Sequence, residues 1–183
     1  MKVIILTLTI LCFGITYAQK EGQDFCKGIP DGAYFPLDIK EKKLLWSDTF
    51  YFEMFEKDTI IKGNKYLKFK QVWEKGDSDI LLFREKSGIV FQYFPENNKE
   101  IIRIDPSFRP GYTWKNELRN CTFTLIGYDE KLETPYCQYN GLLAIKAEYP
   151  KVTYVFYYQK GYGYVGATKD GKTISAASPE WKD

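Results

Sequence analysis

From Tyr34 onward the chain has no long stretch whose apolar residues recur at the 3.6 spacing of a helix, and glycine or proline interrupts it roughly every eight to twelve residues. Between the breaks, apolar and polar residues alternate. Leu67, Phe69 and Trp73 interleave with Lys68 and Lys70 over Lys65 to Glu74, the period-two pattern of a strand with one wet face. Similar runs follow at Ile80 to Glu85, Ile89 to Phe94, Glu100 to Asp105, Cys121 to Tyr128, Leu142 to Tyr149, Thr153 to Gln159 and Tyr164 to Lys169, with a last short strand near Thr173 and Ile174. Leu44 to Glu56 reads as one long strand, with rings on both parities. Fifteen Tyr, thirteen Phe and four Trp reinforce the β preference, because aromatic side chains suit a pleated, half-buried surface. The expected fold is all-β: a single antiparallel meander forming a strongly curved sheet or partly closed barrel of about nine to eleven strands.

Ahead of this region, Lys2 and the apolar stretch Val3 to Ile15 lead to the small Ala18 and a polar segment, which is the pattern of a secretory signal peptide cut after Ala18. Cys12 follows Leu11, a poor context for lipoprotein processing, so no lipid anchor is expected. The expected organisation is residues 1–18 as signal peptide, 19–33 as a flexible lead-in, 34–174 as the β domain and 175–183 as a tail in which Trp181 is the one large apolar residue. No transmembrane segment is expected after cleavage.

The charges are balanced, 26 basic against 24 acidic, and interspersed, so the basic stripe of a nucleic-acid footprint is missing. Histidine is absent, which excludes serine–histidine and cysteine–histidine catalysis and histidine-ligated zinc. Cys26, Cys121 and Cys137 remain after the leader. In an oxidising compartment two of them are expected to pair, Cys121 with Cys137 as first choice, closing a loop that stabilises by roughly 3 kcal/mol. Cys26–Cys121 and Cys26–Cys137 stay open as pairings that would tether the N-terminal segment.

Other motifs read as structure. Lys160-Gly161-Tyr162-Gly163 is a hairpin and not a phosphate cradle, since strand rather than helix follows. Asp77-Ser78-Asp79 has the carboxylate spacing of a calcium loop but lacks its glycine and distal glutamate. Glu53 with Glu56, or Asp129 with Glu130, would serve glycoside cleavage only if folding set two acids at the required separation.

Several segments together look familiar: Tyr34-Phe35-Pro36-Leu37, the following Trp46, the turn Pro110-Gly111-Tyr112-Thr113-Trp114, and the run Tyr154 to Val165 with its Tyr-Tyr-x-Lys-Gly-x-Gly-x-Val close. They resemble a group of secreted bacterial cell-envelope β-proteins of unassigned function. Where that group often carries a cysteine after Tyr139-Asn140-Gly141, this chain has Leu142. The resemblance implies a curved sheet or partly closed barrel in the envelope, and it implies no reaction.

The functional expectation is an exported, non-enzymatic protein without a cofactor. It would hold an apolar or amphipathic ligand, or an envelope protein, on an aromatic-rich concave sheet. Trp46, Phe52, Phe69 and Trp73 from the first half, with Tyr154, Phe156 and Tyr158 from the second, are the candidate lining residues. The alternative is a periplasmic inhibitor or immunity protein that neutralises a toxin or hydrolase.

Overall fold

The structure, a computed structural model, describes residues 25–180, so the expected leader, its cut, Cys12 and Trp181 lie outside the described residues. Twelve strands form one antiparallel sheet. The first six are β1 (Glu41–Trp46), β2 (Thr49–Ile61), β3 (Asn64–Trp73), β4 (Ser78–Lys86), β5 (Ile89–Phe94) and β6 (Lys99–Ile104). The second six are β7 (Thr113–Asn116), β8 (Cys121–Glu133), β9 (Gln138–Tyr149), β10 (Val152–Gln159), β11 (Gly163–Lys169) and β12 (Lys172–Ser178). The spatial order is β6-β5-β4-β3-β2-β1-β12-β11-β10-β9-β8-β7. Each strand pairs with its successor except β6, and β12 returns to pair with β1. The sheet thus curls into a nearly closed barrel whose seam lies between two consecutive strands.

The seam follows from the sequence between them. Pro106 and Pro110 have no backbone N–H to donate to a ladder, and Asp105 turns the chain locally by accepting from the Ser107 N–H at 2.8 Å. Trp114 spans the gap, its Nε1–H donating to the Ile102 carbonyl at 3.2 Å. Curvature is introduced by bulges: register shifts occur in β2 between Phe55 and Lys57, in β11 between Ala167 and Thr168, and at three places along the β8–β9 pair.

The expected strand at Leu44 to Glu56 is two strands. The chain reverses at Ser47-Asp48, where Ser47 takes φ 54°, and Leu44 lies opposite Tyr51. The final strand also runs past Ile174 through Ser178, because Ala176 and Ala177 pair with Leu45 and Leu44. Residues 175–178 therefore belong to the sheet and not to a tail.

The lead-in is likewise fixed from its first described residue. Phe25 is 2% exposed and packs in a cluster with Leu132, Tyr139 and Val165. Cys26 is bonded to Cys137, 111 residues away in sequence, and Cys121 is a buried free thiol. The expected Cys121–Cys137 bridge is corrected by strand length. Cys121 opens the thirteen-residue β8 and Cys137 follows its far end, so roughly 30–40 Å of strand separates them. Beyond the disulfide, the Ile29 N–H donates to the Lys160 carbonyl and the Gly161 N–H to the Ala33 carbonyl, at 3.0 and 2.8 Å. A Cβ on Gly32 would stand 2.6 Å from the Gly161 nitrogen, so both glycines are needed for the lead-in to lie against the β10–β11 turn.

Candidate functional site

From this anchorage the chain enters one end of the barrel. Phe35 packs edge-on against Phe83 at 5.1 Å between ring centroids and tilts over Tyr158 at 5.9 Å. The Tyr34 hydroxyl donates to the Tyr128 carbonyl at 3.3 Å. Residues 34–39 thus form a strap that closes this end, while the interior beyond stays open as a cavity of about 620 Å³. Phe35, Pro36 and Leu37 are its floor, and the exposed Asp79, Ile80, Glu96 and Arg119 stand at its rim.

Alternation along the strands supplies the wall. Phe69, Gln71 and Trp73 of β3 face the cavity beside their β4 partners, Leu81 opposite Phe69 and Asp79 opposite Gln71. On β2 the inward parity is Tyr51, Glu53 and Phe55, with Tyr51 4.7 Å from Trp73 and Phe55 5.7 Å from Phe69. Phe156 and Tyr158 of β10 face the same space from the other half of the barrel.

Of the seven candidate lining residues, Trp46, Phe69, Trp73, Phe156 and Tyr158 come together on this cavity. Tyr154 sits beside it, 6.0 Å from Trp46, and lines a shallow depression with Tyr149 and Pro150. Phe52 does not line it. The turn at Ser47-Asp48 sets the register so that Tyr51 and Glu53 point inward, and Phe52 packs instead on Phe50 at 5.7 Å, near the Lys43 ammonium. Sequence reasoning overlooked Tyr51 and the polar members Lys42, Glu53, Gln71 and Arg103. The strict alternation of Tyr51, Glu53 and Phe55 was the available signal, once the Ser-Asp turn is recognised.

The polar groups are unequally satisfied. Glu53 accepts from Gln71 Nε2 at 2.9 Å and lies opposite Lys42 in register, and Asp79 accepts from Trp73 Nε1 at 3.1 Å. Burial lowers the Lys42 pKa, and the charges of Glu53 and Asp38 oppose that shift. Burial pushes the hydroxyls of Tyr51, Tyr158 and Tyr164 upward, so all three are neutral donors at ordinary pH. Arg103 reaches from β6 into their midst. Its Nε is buried with no hydrogen-bond partner among the described residues, whereas the Tyr164 and Ser175 hydroxyls lie beside each other. The Cys121 thiol is raised by burial, so it is not a ready thiolate. Among the described residues no cluster of three metal-ligating side chains occurs. Asp77-Ser78-Asp79 leads out of the β3–β4 turn, which the Trp73 N–H closes on the Asp77 carbonyl.

No protein-family model and no curated protein matches the chain. Two crystal structures resemble it. One is a candidate exported protein with a YmcC-like fold from Bacteroides fragilis NCTC 9343, at 12% identity and TM-score 0.45. The other is a candidate lipoprotein from Parabacteroides distasonis ATCC 8503, at 11% identity and TM-score 0.46. Each match covers 80% of this chain and 96% of the other. At so loose a superposition the likeness carries no argument about function. No helix among the described residues is long and apolar enough to cross a membrane.

Proposed function

We propose that the chain is an exported, non-enzymatic binding protein of the bacterial envelope that holds an apolar or amphipathic small molecule inside the barrel. One observation carries the reading: a ring-walled cavity of about 620 Å³, closed at one end by the strap and open at the other. That volume falls within the roughly 300–1,000 Å³ typical of small-molecule sites. Export is supported by the signal-like N-terminal pattern and by the Cys26–Cys137 bridge, since such bonds persist in oxidising compartments. The test is native mass spectrometry of the protein purified from envelope fractions, together with fluorescence of Trp46 and Trp73 during titration with an envelope lipid extract. Retained mass and a spectral change are expected. A bare protein whose emission ignores the lipids refutes the reading.

A second reading rests on Glu53 and Asp79, which share the cavity wall on either side of Gln71. Two strand spacings put their backbones about 10 Å apart, near the upper bound of the carboxyl separation used in inverting glycoside cleavage. Both side chains are already hydrogen-bonded, which favours the binding reading. Turnover of a nitrophenyl glycoside, lost in Glu53→Gln, would reverse the preference.

A further inference from the structure

We infer that the cavity selects amphiphiles with a single carboxylate head, and that Arg103 is the residue that receives it. The inference rests on the cavity being a binding site and names the class of molecule it takes.

Of the cavity cations, Lys42 lies opposite Glu53 and Arg119 stands over the Phe94 ring, while Arg103 carries a buried donor that nothing among the described residues accepts from. Its Nε is buried and lacks an acceptor among the described residues, and none of the ion pairs found among them includes it. A buried donor left unmade forfeits its hydration without replacement, and a guanidinium forfeits more than a neutral group. The protein's own acids do not serve it: Glu53 is engaged by Gln71 and Asp79 by Trp73. The hydroxyl of Tyr164, which lies beside the Ser175 hydroxyl, faces the same cavity. A planar fork of N–H donors with a hydroxyl nearby matches a carboxylate, whose two oxygens accept in parallel.

Charge decides against a phosphate head. Lys42 lies opposite Glu53 and is offset by it, so a dianion would meet one interior guanidinium with no acid of its own and the further carboxylate of Asp79 at the rim. A monoanion is balanced by Arg103 alone. The rings of Trp46, Trp73 and Phe156 then offer apolar surface to the chain that follows the head. Arg119, exposed at the rim and 5.5 Å above the Phe94 ring, adds positive charge on the way in.

The experiment titrates the full mature protein with dodecanoate, 1-dodecanol and dodecyl phosphate below their aggregation limits, read by calorimetry and Trp fluorescence. Dodecanoate is expected to bind about tenfold or more tightly than the alcohol, the margin of a charge-assisted pair, and more tightly than the phosphate. In Arg103→Gln the acid-to-alcohol ratio is expected to fall to about one. Because the wild-type comparison is informative alone, a poorly folding variant does not spoil the test. Arg103→Lys, which keeps the charge and loses the fork, is expected to retain part of the preference. Equal binding of acid and alcohol overturns the carboxylate assignment while leaving the cavity a binding site, and so does tighter binding of the phosphate. Silence with all three probes overturns both.

Discussion

At position 166 there is no room for one methyl group. A Cβ there would lie 2.6 Å from the Ser175 carbonyl oxygen and 2.8 Å from Leu132 Cδ2. The first is backbone between paired strands and cannot yield cheaply, so Gly166→Ala is expected to cost about 1–3 kcal/mol of stability, read from the urea midpoint. Gly63, at φ 76° with open space around it, is the contrast: alanine there carries only left-handed strain, about 1 kcal/mol. The interior tyrosines make a second prediction at this scale. Burial raises the Tyr51, Tyr158 and Tyr164 hydroxyls above their ordinary 10.0, so the folded state favours their neutral forms. An acid raised by folding adds stability that is complete below its unfolded pKa. That stability is lost as pH climbs, because the unfolded chain ionises first. Unfolding free energy is therefore expected to fall above about pH 10, and near-ultraviolet titration should show these three hydroxyls ionising only as the protein unfolds.

Among the described elements, the lead-in that feeds the strap is the one held by covalent chemistry. The Cys26–Cys137 bond closes a loop of more than a hundred residues, so replacing both cysteines by serine is expected to cost about 2–5 kcal/mol in chemical denaturation. The same variant should raise proteolysis within residues 25–39, because the lead-in then rests on Phe25, two backbone bonds to the β10–β11 turn and the bonds that Gln159 and Lys160 donate to the Cys26 and Pro30 carbonyls. Strands bounded by clear turn residues were plain in the sequence: β3, β4, β5, β6, β10 and β11 lie within two residues of where alternation, β-branched and aromatic content and the turns between them set them. What escaped was decided by tertiary partners. Ser175 to Ser178 carry no large apolar side chain and are strand because they lie between β1 and β11. The Ser47-Asp48 reversal carries no glycine or proline and lies between two apolar runs, and missing it put Phe52 on the wrong face. The Cys26 partner was unreadable because the spatial reach of a bulged thirteen-residue hairpin arm is not a property of cysteine spacing.

For the molecule as a whole, the first and last strands, β1 and β12, pair in mid-sheet, while among the described residues the unpaired sheet edges belong to β6 and β7. The aromatic cup was legible in the density of rings on both strand parities. Its floor and its polar anchors were not, since they depend on which segment enters the barrel and on which charge remains unmatched. This arrangement predicts an order of opening. β1 and β12 are hydrogen-bonded on both sides and lie opposite the seam, so their amides should exchange with solvent only through global unfolding. β6 has one neighbour but is stapled from outside: Arg84 and the Tyr66 hydroxyl both bond to Glu100, tying it back to β4 and β3. β7 has one neighbour, four residues of pairing and the Trp114 tie across the gap. Hydrogen–deuterium exchange is therefore expected to be fastest in β7, intermediate in β6 and slowest in β1 and β12. Trp114→Phe, which keeps a ring on the inner face and deletes its N–H, should speed β7 and β6 selectively. If β1 and β12 exchanged first, the barrel would open where its first and last strands meet, and the seam between consecutive strands would not be its weak line.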